Sequence, residues 1–177
     1  MNFSYDTYIV LDVPSPIKDR ILDIRKHHKD TLRASLPVEI TVAGSSGVGV
    51  IEPGQDKDFV FDTLTEIATK TRPIAASFSD VFRFPGSEVF VLTLKEEERF
   101  RDLHQEIMNS GIQFKANPFP YKPHCTLRSR SPITDQEEKE IMKTKIRDKF
   151  IMDTLSVYMV DKIPINRLFT VKLTGEK

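Results

Sequence analysis

Two rhythms of apolar positions take turns along the chain. "YIVLDV", Tyr8 to Val13, is a nearly continuous apolar run that ends at Pro14, and it predicts a buried strand. Ile17, Ile21, Ile24 and Leu32 follow at near-helical spacing. Ser15 and Pro16 suit the start of that helix, a capping hydroxyl and then a proline in the first turn. Pro37 to Ala43 reads as a short strand and Gly44 to Gly49 ("GSSGVG") as a loop without the GK[ST] ending of a P-loop. Val60, Leu64 and Ile67 form the stripe of a helix from Asp56 to Lys70. Strands at Ala75 to Phe84 and Glu88 to Leu94 flank a turn at Pro85 to Ser87, which predicts a hairpin. Phe100, Leu103 and Ile107 mark a helix from Glu96 to Asn109, stopped by Gly111. A strand from Lys122 to Ser129 follows, then a helix from the capping-box pair Thr134 and Glu137 to Lys149. Two strands close the chain, Asp153 to Val160 and Arg167 to Leu173.

The order is β-α-β-α-β and then β-α-β-α-β-β, the same plan twice. The expected fold is α/β, or α+β by stricter usage: two similar lobes related by a pseudo-twofold around a central cleft. A single bilobal domain over residues 1–177 is expected, with lobe halves of roughly 1–85 and 86–177. Aligning the halves sets "PVEIT" (Pro37 to Thr41) against "KPHCT" (Lys122 to Thr126), with Glu39 opposite His124 and Thr41 opposite Thr126.

Composition limits the function. Lys plus Arg and Asp plus Glu are 26 each, so a general nucleic-acid or membrane coat is not expected, and an anion site must be a local cleft. The one cysteine, Cys125, allows no disulfide within the chain and fits a reducing compartment. The start of the chain lacks a signal-peptide pattern, and no apolar run approaches the ~20 residues of a bilayer span. CxxC and HExxH spacings are missing. The expectation is a cytoplasmic monomer that uses no metal or cofactor and does not engage a membrane.

Strand side chains alternate, so His124, Thr126 and Arg128 are expected on one face, and Glu39 and Thr41 on another. If both faces meet in one cleft, it holds a proton-transfer group from each strand, two hydroxyls and a guanidinium. Hydroxyls and arginine suit phosphate oxygens, and histidine transfers protons near neutral pH. His28 and His104 fall on the apolar stripes of their helices and read as packed side chains, and Cys125 as a buried thiol. Phe82, Phe84, Phe119 and Tyr121 read mainly as core, with a base-stacking wall as the alternative.

"KPHCTLRS" resembles the second motif of the two-histidine phosphoesterase superfamily, which includes 2'-5' RNA ligases and RNA 2',3'-cyclic phosphodiesterases. "FRFPGSEVFVLTL" and the helix with "RDLHQEI" are similar to that family's central hairpin and helix. The resemblance implies a bilobal fold and metal-independent chemistry on a 2',3'-cyclic or 2'-5' phosphodiester of a nucleotide or short RNA. One histidine then acts as general base and the other as general acid. By position, His124 takes one of these roles, Thr41 and Thr126 hold the phosphate, and Arg128 assists. The first motif departs from H-x-T and reads Glu39-Ile40-Thr41. The resemblance therefore implies either an enzyme in which Glu39 replaces a histidine or an inactive nucleotide- or RNA-phosphate-binding protein using the same cleft.

Overall fold

The computed structural model describes residues 2–176. In chain order the elements are β1 (Thr7–Asp12), α1 (Ile17–His27), α2 (Thr31–Ala34), β2 (Glu39–Ala43), α3 (Lys57–Lys70), β3 (Ile74–Ala76), β4 (Phe78–Arg83), β5 (Phe90–Leu94), α4 (Glu98–Met108), β6 (His124–Arg128), α5 (Asp135–Met142), β7 (Phe150–Met152), β8 (Thr154–Met159) and β9 (Asn166–Lys172). They form a four-stranded sheet ordered β2-β1-β8-β9, a three-stranded sheet ordered β4-β5-β6, and the pair β3-β7. Every pairing is antiparallel, which makes the fold α+β.

The unit strand, helix, antiparallel edge strand occurs twice, as β1-α1-β2 and β5-α4-β6. In each unit the central strand reads as an apolar run because both of its faces are covered. Ile9, Leu11 and Val10 of β1, and Phe90, Val91 and Leu92 of β5, are all buried. The sheets do not divide the chain at its middle. β8 and β9 complete the sheet begun by β1, and β4 borders the sheet of β5, so each lobe draws on both halves.

Helices cover the outer faces. The stripe Val60, Leu64 and Ile67 of α3 is buried as the pattern predicts, and so is Phe100, Leu103 and Ile107 of α4. Each such side chain contributes about 1.5–3 kcal/mol through burial. The capping box of α5 is present, with the Thr134 hydroxyl accepting from the Glu137 amide and the Glu137 carboxylate accepting from the Thr134 amide.

Several boundaries differ from the pattern. No side chain caps α1, so the Ser15 hydroxyl is not used as expected. That helix stops at His27, and Lys29 at φ 55° turns the chain away before Leu32. The expected strand from Ala75 to Phe84 is two strands in different sheets. The last helix ends at Met142 rather than Lys149, because Ile146 leaves it to be buried in the core.

Buried cations hold the lobes together. Arg25 on α1 is 2% exposed and makes no ion pair with a carboxylate among the described residues. Its guanidinium donates to the carbonyl of Thr126 from Nε and Nη2 (3.1 and 2.8 Å), and from Nη1 to the carbonyls of Arg33, Leu36 and Pro37. A side chain of one lobe thereby fixes β6 of the other against the entry to β2. The Tyr121 hydroxyl adds a second tie by donating to the Thr41 carbonyl at 3.1 Å.

Candidate active site

β2 and β6 are both sheet edges, and they approach each other across the lobe junction. Their burial follows one pattern, with the first and third residues partly open and the rest buried. The open residues are Glu39 and Thr41 on β2 and His124 and Thr126 on β6. All four line a single cleft of about 410 Å³. Tyr8 and Val10 of β1 reach it by alternation, Tyr158 comes from β8, and Ser45 from the loop after β2. Gly44, at φ 146°, lets that loop lie on the Tyr8 ring, since a Cβ there would sit 2.2 Å from a ring carbon.

Glu39 is the most perturbed carboxyl of the cleft. Burial pushes its pKa up to about 7, and Asp12, its partner across the sheet, adds to the rise. The Thr41 hydroxyl, donating to the carboxylate at 2.9 and 3.2 Å, and the guanidinium groups of Arg25 and Arg33 pull it down and lose. Near neutral pH, Glu39 therefore exists in both protonation states.

His124 is shifted the other way. Burial lowers its pKa, the cations Arg33 and Lys122 lower it further, and a backbone hydrogen bond opposes them. That bond joins Nδ1 to the Lys122 carbonyl at 2.6 Å. A carbonyl only accepts, so Nδ1 carries the proton, and in the neutral ring Nε2 keeps a free lone pair. Phe84 meets the imidazole edge-on at 5.1 Å. The cleft thus holds a carboxyl whose pKa is raised to about 7 and an imidazole whose pKa is lowered. That pairing suits general acid-base chemistry.

Arg128 does not join them. Thr126 pairs with Val91 but Arg128 pairs with Phe90, so an extra residue is inserted between them on β6. Such a bulge breaks the two-residue alternation, and Leu127 and Arg128 are both 0% exposed. The Arg128 guanidinium donates to the carbonyls of Arg130 and Pro132 (3.3 and 3.1 Å) and lies 3.5 Å from Glu137 at the start of α5. The cleft's arginine is instead Arg33 of α2, which no periodicity marked. Asp30 sets that helix in place. One carboxylate oxygen accepts from the Arg33 amide at 3.0 Å, and the other accepts from the amides of Ser129 and Arg130 (2.7 and 3.0 Å).

The other candidates are structural. His28 and His104 are buried, and His104 stacks on Tyr121 with its Nδ1 2.6 Å from the Val42 carbonyl. Lys122 pairs with Glu97. Cys125 is fully buried, and burial pushes its thiol up to about 12. Among the described residues no cluster of three or more His, Cys, Asp or Glu could hold a metal ion, and no helix is long and apolar enough to cross a membrane.

Two edge strands, one bringing Glu39 and Thr41 and the other His124 and Thr126, thus meet at one cleft. Residues 13–161 match the 2'-5' RNA ligase superfamily, and the chain belongs to that family. It is similar in structure to protein TT0787 of Thermus thermophilus, with a TM-score of 0.73 and 13% identity over 97% of this chain and 100% of that one. It is also similar to E. coli LigT, solved with ATP (TM-score 0.63, 14% identity, 97% and 99% covered) and with 3'-AMP (TM-score 0.60, 15% identity, 96% and 98% covered). At these identities the likeness concerns the fold. No curated protein matches the chain.

Proposed function

We propose that this protein hydrolyses 2',3'-cyclic or 2'-5' phosphodiesters of a nucleotide or short RNA, with His124 and Glu39 as its proton-transfer pair. The observation that carries this reading is the meeting of Glu39 and Thr41 with His124 and Thr126 in one cleft. E. coli LigT has been solved with 3'-AMP and with phosphate, ligands of the kind this reading requires.

The direction of the two pKa shifts supports the following roles. Neutral His124 accepts a proton at Nε2 from a water whose oxygen attacks phosphorus. The bond from phosphorus to one ribose oxygen breaks, and protonated Glu39 gives its proton to that oxygen. A substrate phosphate beside Glu39 favours its protonated form. The Thr126 and Thr41 hydroxyls hold the non-bridging oxygens. Turnover of 2',3'-cyclic nucleotides and 2'-5' dinucleotides in excess chelator tests the reading, with the native chain beside His124→Ala. Native turnover that survives unchanged in His124→Ala would sink it.

One observation favours a second reading, a phosphate-binding protein without turnover. The Thr41 hydroxyl already donates to Glu39, so ionised Glu39 competes for the group meant to hold phosphate. Saturable nucleotide binding without turnover in the native chain, with turnover appearing in Glu39→His, would favour it.

A further inference from the structure

Among the described residues lining the cleft, Arg33 is the one lysine or arginine. It is braced from three directions. Its Nε donates to the Ser129 hydroxyl at 2.9 Å, its amide to Asp30, and its carbonyl accepts from Arg25. These bonds leave both Nη groups without a hydrogen bond or ion pair to any described residue. A fixed guanidinium with its fork free suits two oxygens of one phosphate.

The rest of the wall is largely apolar. Val10, Val160, Ile163 and Ile165 line it together with the rings of Tyr8 and Tyr158. The Tyr158 hydroxyl is tied to Asp12 at 2.9 Å, which holds that ring in place. Ile163 lines the cleft and is 56% exposed, so it sits at the rim. A groove for a nucleic-acid chain needs a succession of cations for successive phosphates. This cleft has one cation, an apolar wall, and a volume near the lower end of the ~300–1,000 Å³ of small-molecule sites.

We propose that Arg33 holds the phosphate together with Thr41 and Thr126 and that the apolar wall receives the base of a single nucleoside, so the ligand is a 2',3'-cyclic mononucleotide and not the end of an RNA chain. The inference rests on the phosphodiester reading for its chemistry, while its binding part is tested separately. Equilibrium binding is measured on the full chain carrying His124→Asn, so that the ligand is not consumed. The probes are 2',3'-cyclic AMP, inorganic phosphate, and an RNA of about ten nucleotides ending in a 2',3'-cyclic phosphate.

The expected result is that the mononucleotide binds at least as tightly as the RNA. Its affinity should fall only weakly with salt, because a single phosphate carries no condensed counterions to release, whereas binding of an RNA chain would fall steeply. Arg33→Gln should weaken the mononucleotide by about 10- to 100-fold, with thermal melting confirming that it folds. Ile163→Ser, a neutral rim change that does not touch the core, should weaken the mononucleotide and leave inorganic phosphate unchanged. RNA bound about tenfold more tightly with an affinity that falls steeply with salt, a folded Arg33→Gln with unchanged affinity, or no mononucleotide binding would each overturn the inference. Binding as expected without turnover in the native chain would reject hydrolysis and leave this assignment standing. Efficient native turnover of the RNA in preference to the mononucleotide would do the reverse.

Discussion

β2 and β6 are matched strands that solve one task differently. Both are sheet edges of five residues with the same burial pattern, and both send their first and third side chains into the cleft. On β6, His124 takes its orienting bond from the Lys122 carbonyl, and the Thr126 hydroxyl makes no hydrogen bond with the described residues. On β2, Glu39 takes its orienting bond from the Thr41 hydroxyl. A histidine can donate to backbone, whereas an ionised carboxylate only accepts and must recruit a donor. Placing glutamate at the first position of this motif therefore changes the third position as well. The departure at Glu39 is a change in two groups, not one.

The largest expected effect breaks the β6 side. His124→Ala should lower turnover by about 10²–10⁴-fold while mononucleotide affinity changes little, as kcat against KM will show. The pH–rate profile should be narrow. Its acid limb falls below the usual histidine value because His124 must lose its proton, and its alkaline limb lies near 7 because Glu39 must keep one. Glu39→Gln should remove the alkaline limb.

Arg25→Met should be next, since it strips four backbone carbonyls spread over both strand entries of their shared donor. A loss of about 3 kcal/mol or more in urea unfolding is expected. Glu39 itself sets a smaller, pH-dependent effect. Its native pKa lies above its unfolded value, so its contribution to stability is intact below about pH 4.5 and is lost as pH rises through about 7. Glu39→Gln should thus match the native chain in melting at pH 4 and exceed it by about 2–3 kcal/mol at pH 8. The smallest effect compares the threonines directly. At pH 8, Thr126→Val should weaken phosphate binding by about fivefold, and Thr41→Val by less, because its hydroxyl is already engaged.

The central strands, the stripes of α3 and α4, and the pairing of the two motif strands were legible because each depends on a local period. Arg128 was misplaced because one inserted residue after Thr126 turns the alternation over, and a bulge leaves no mark in a run such as "TLRS". Arg33 and Asp30 were missed for a different reason. Their roles come from contacts with Ser129 and Arg130, about a hundred residues away, and only the closure of the lobes brings them together. The misread extent of α1 hid α2, and with it the cleft's cation.

Cys125 belongs to β6, sealed from solvent and beside the Glu39 backbone of β2. A thiol so protonated and enclosed is inert toward alkylating reagents while the lobes are closed. Its modification must wait for β6 to part from β2, so the chain carries its own gauge of lobe separation. The labelling rate of the unmodified protein reads the free energy of that opening directly, and a ligand that bridges the strands should slow it in proportion to its occupancy.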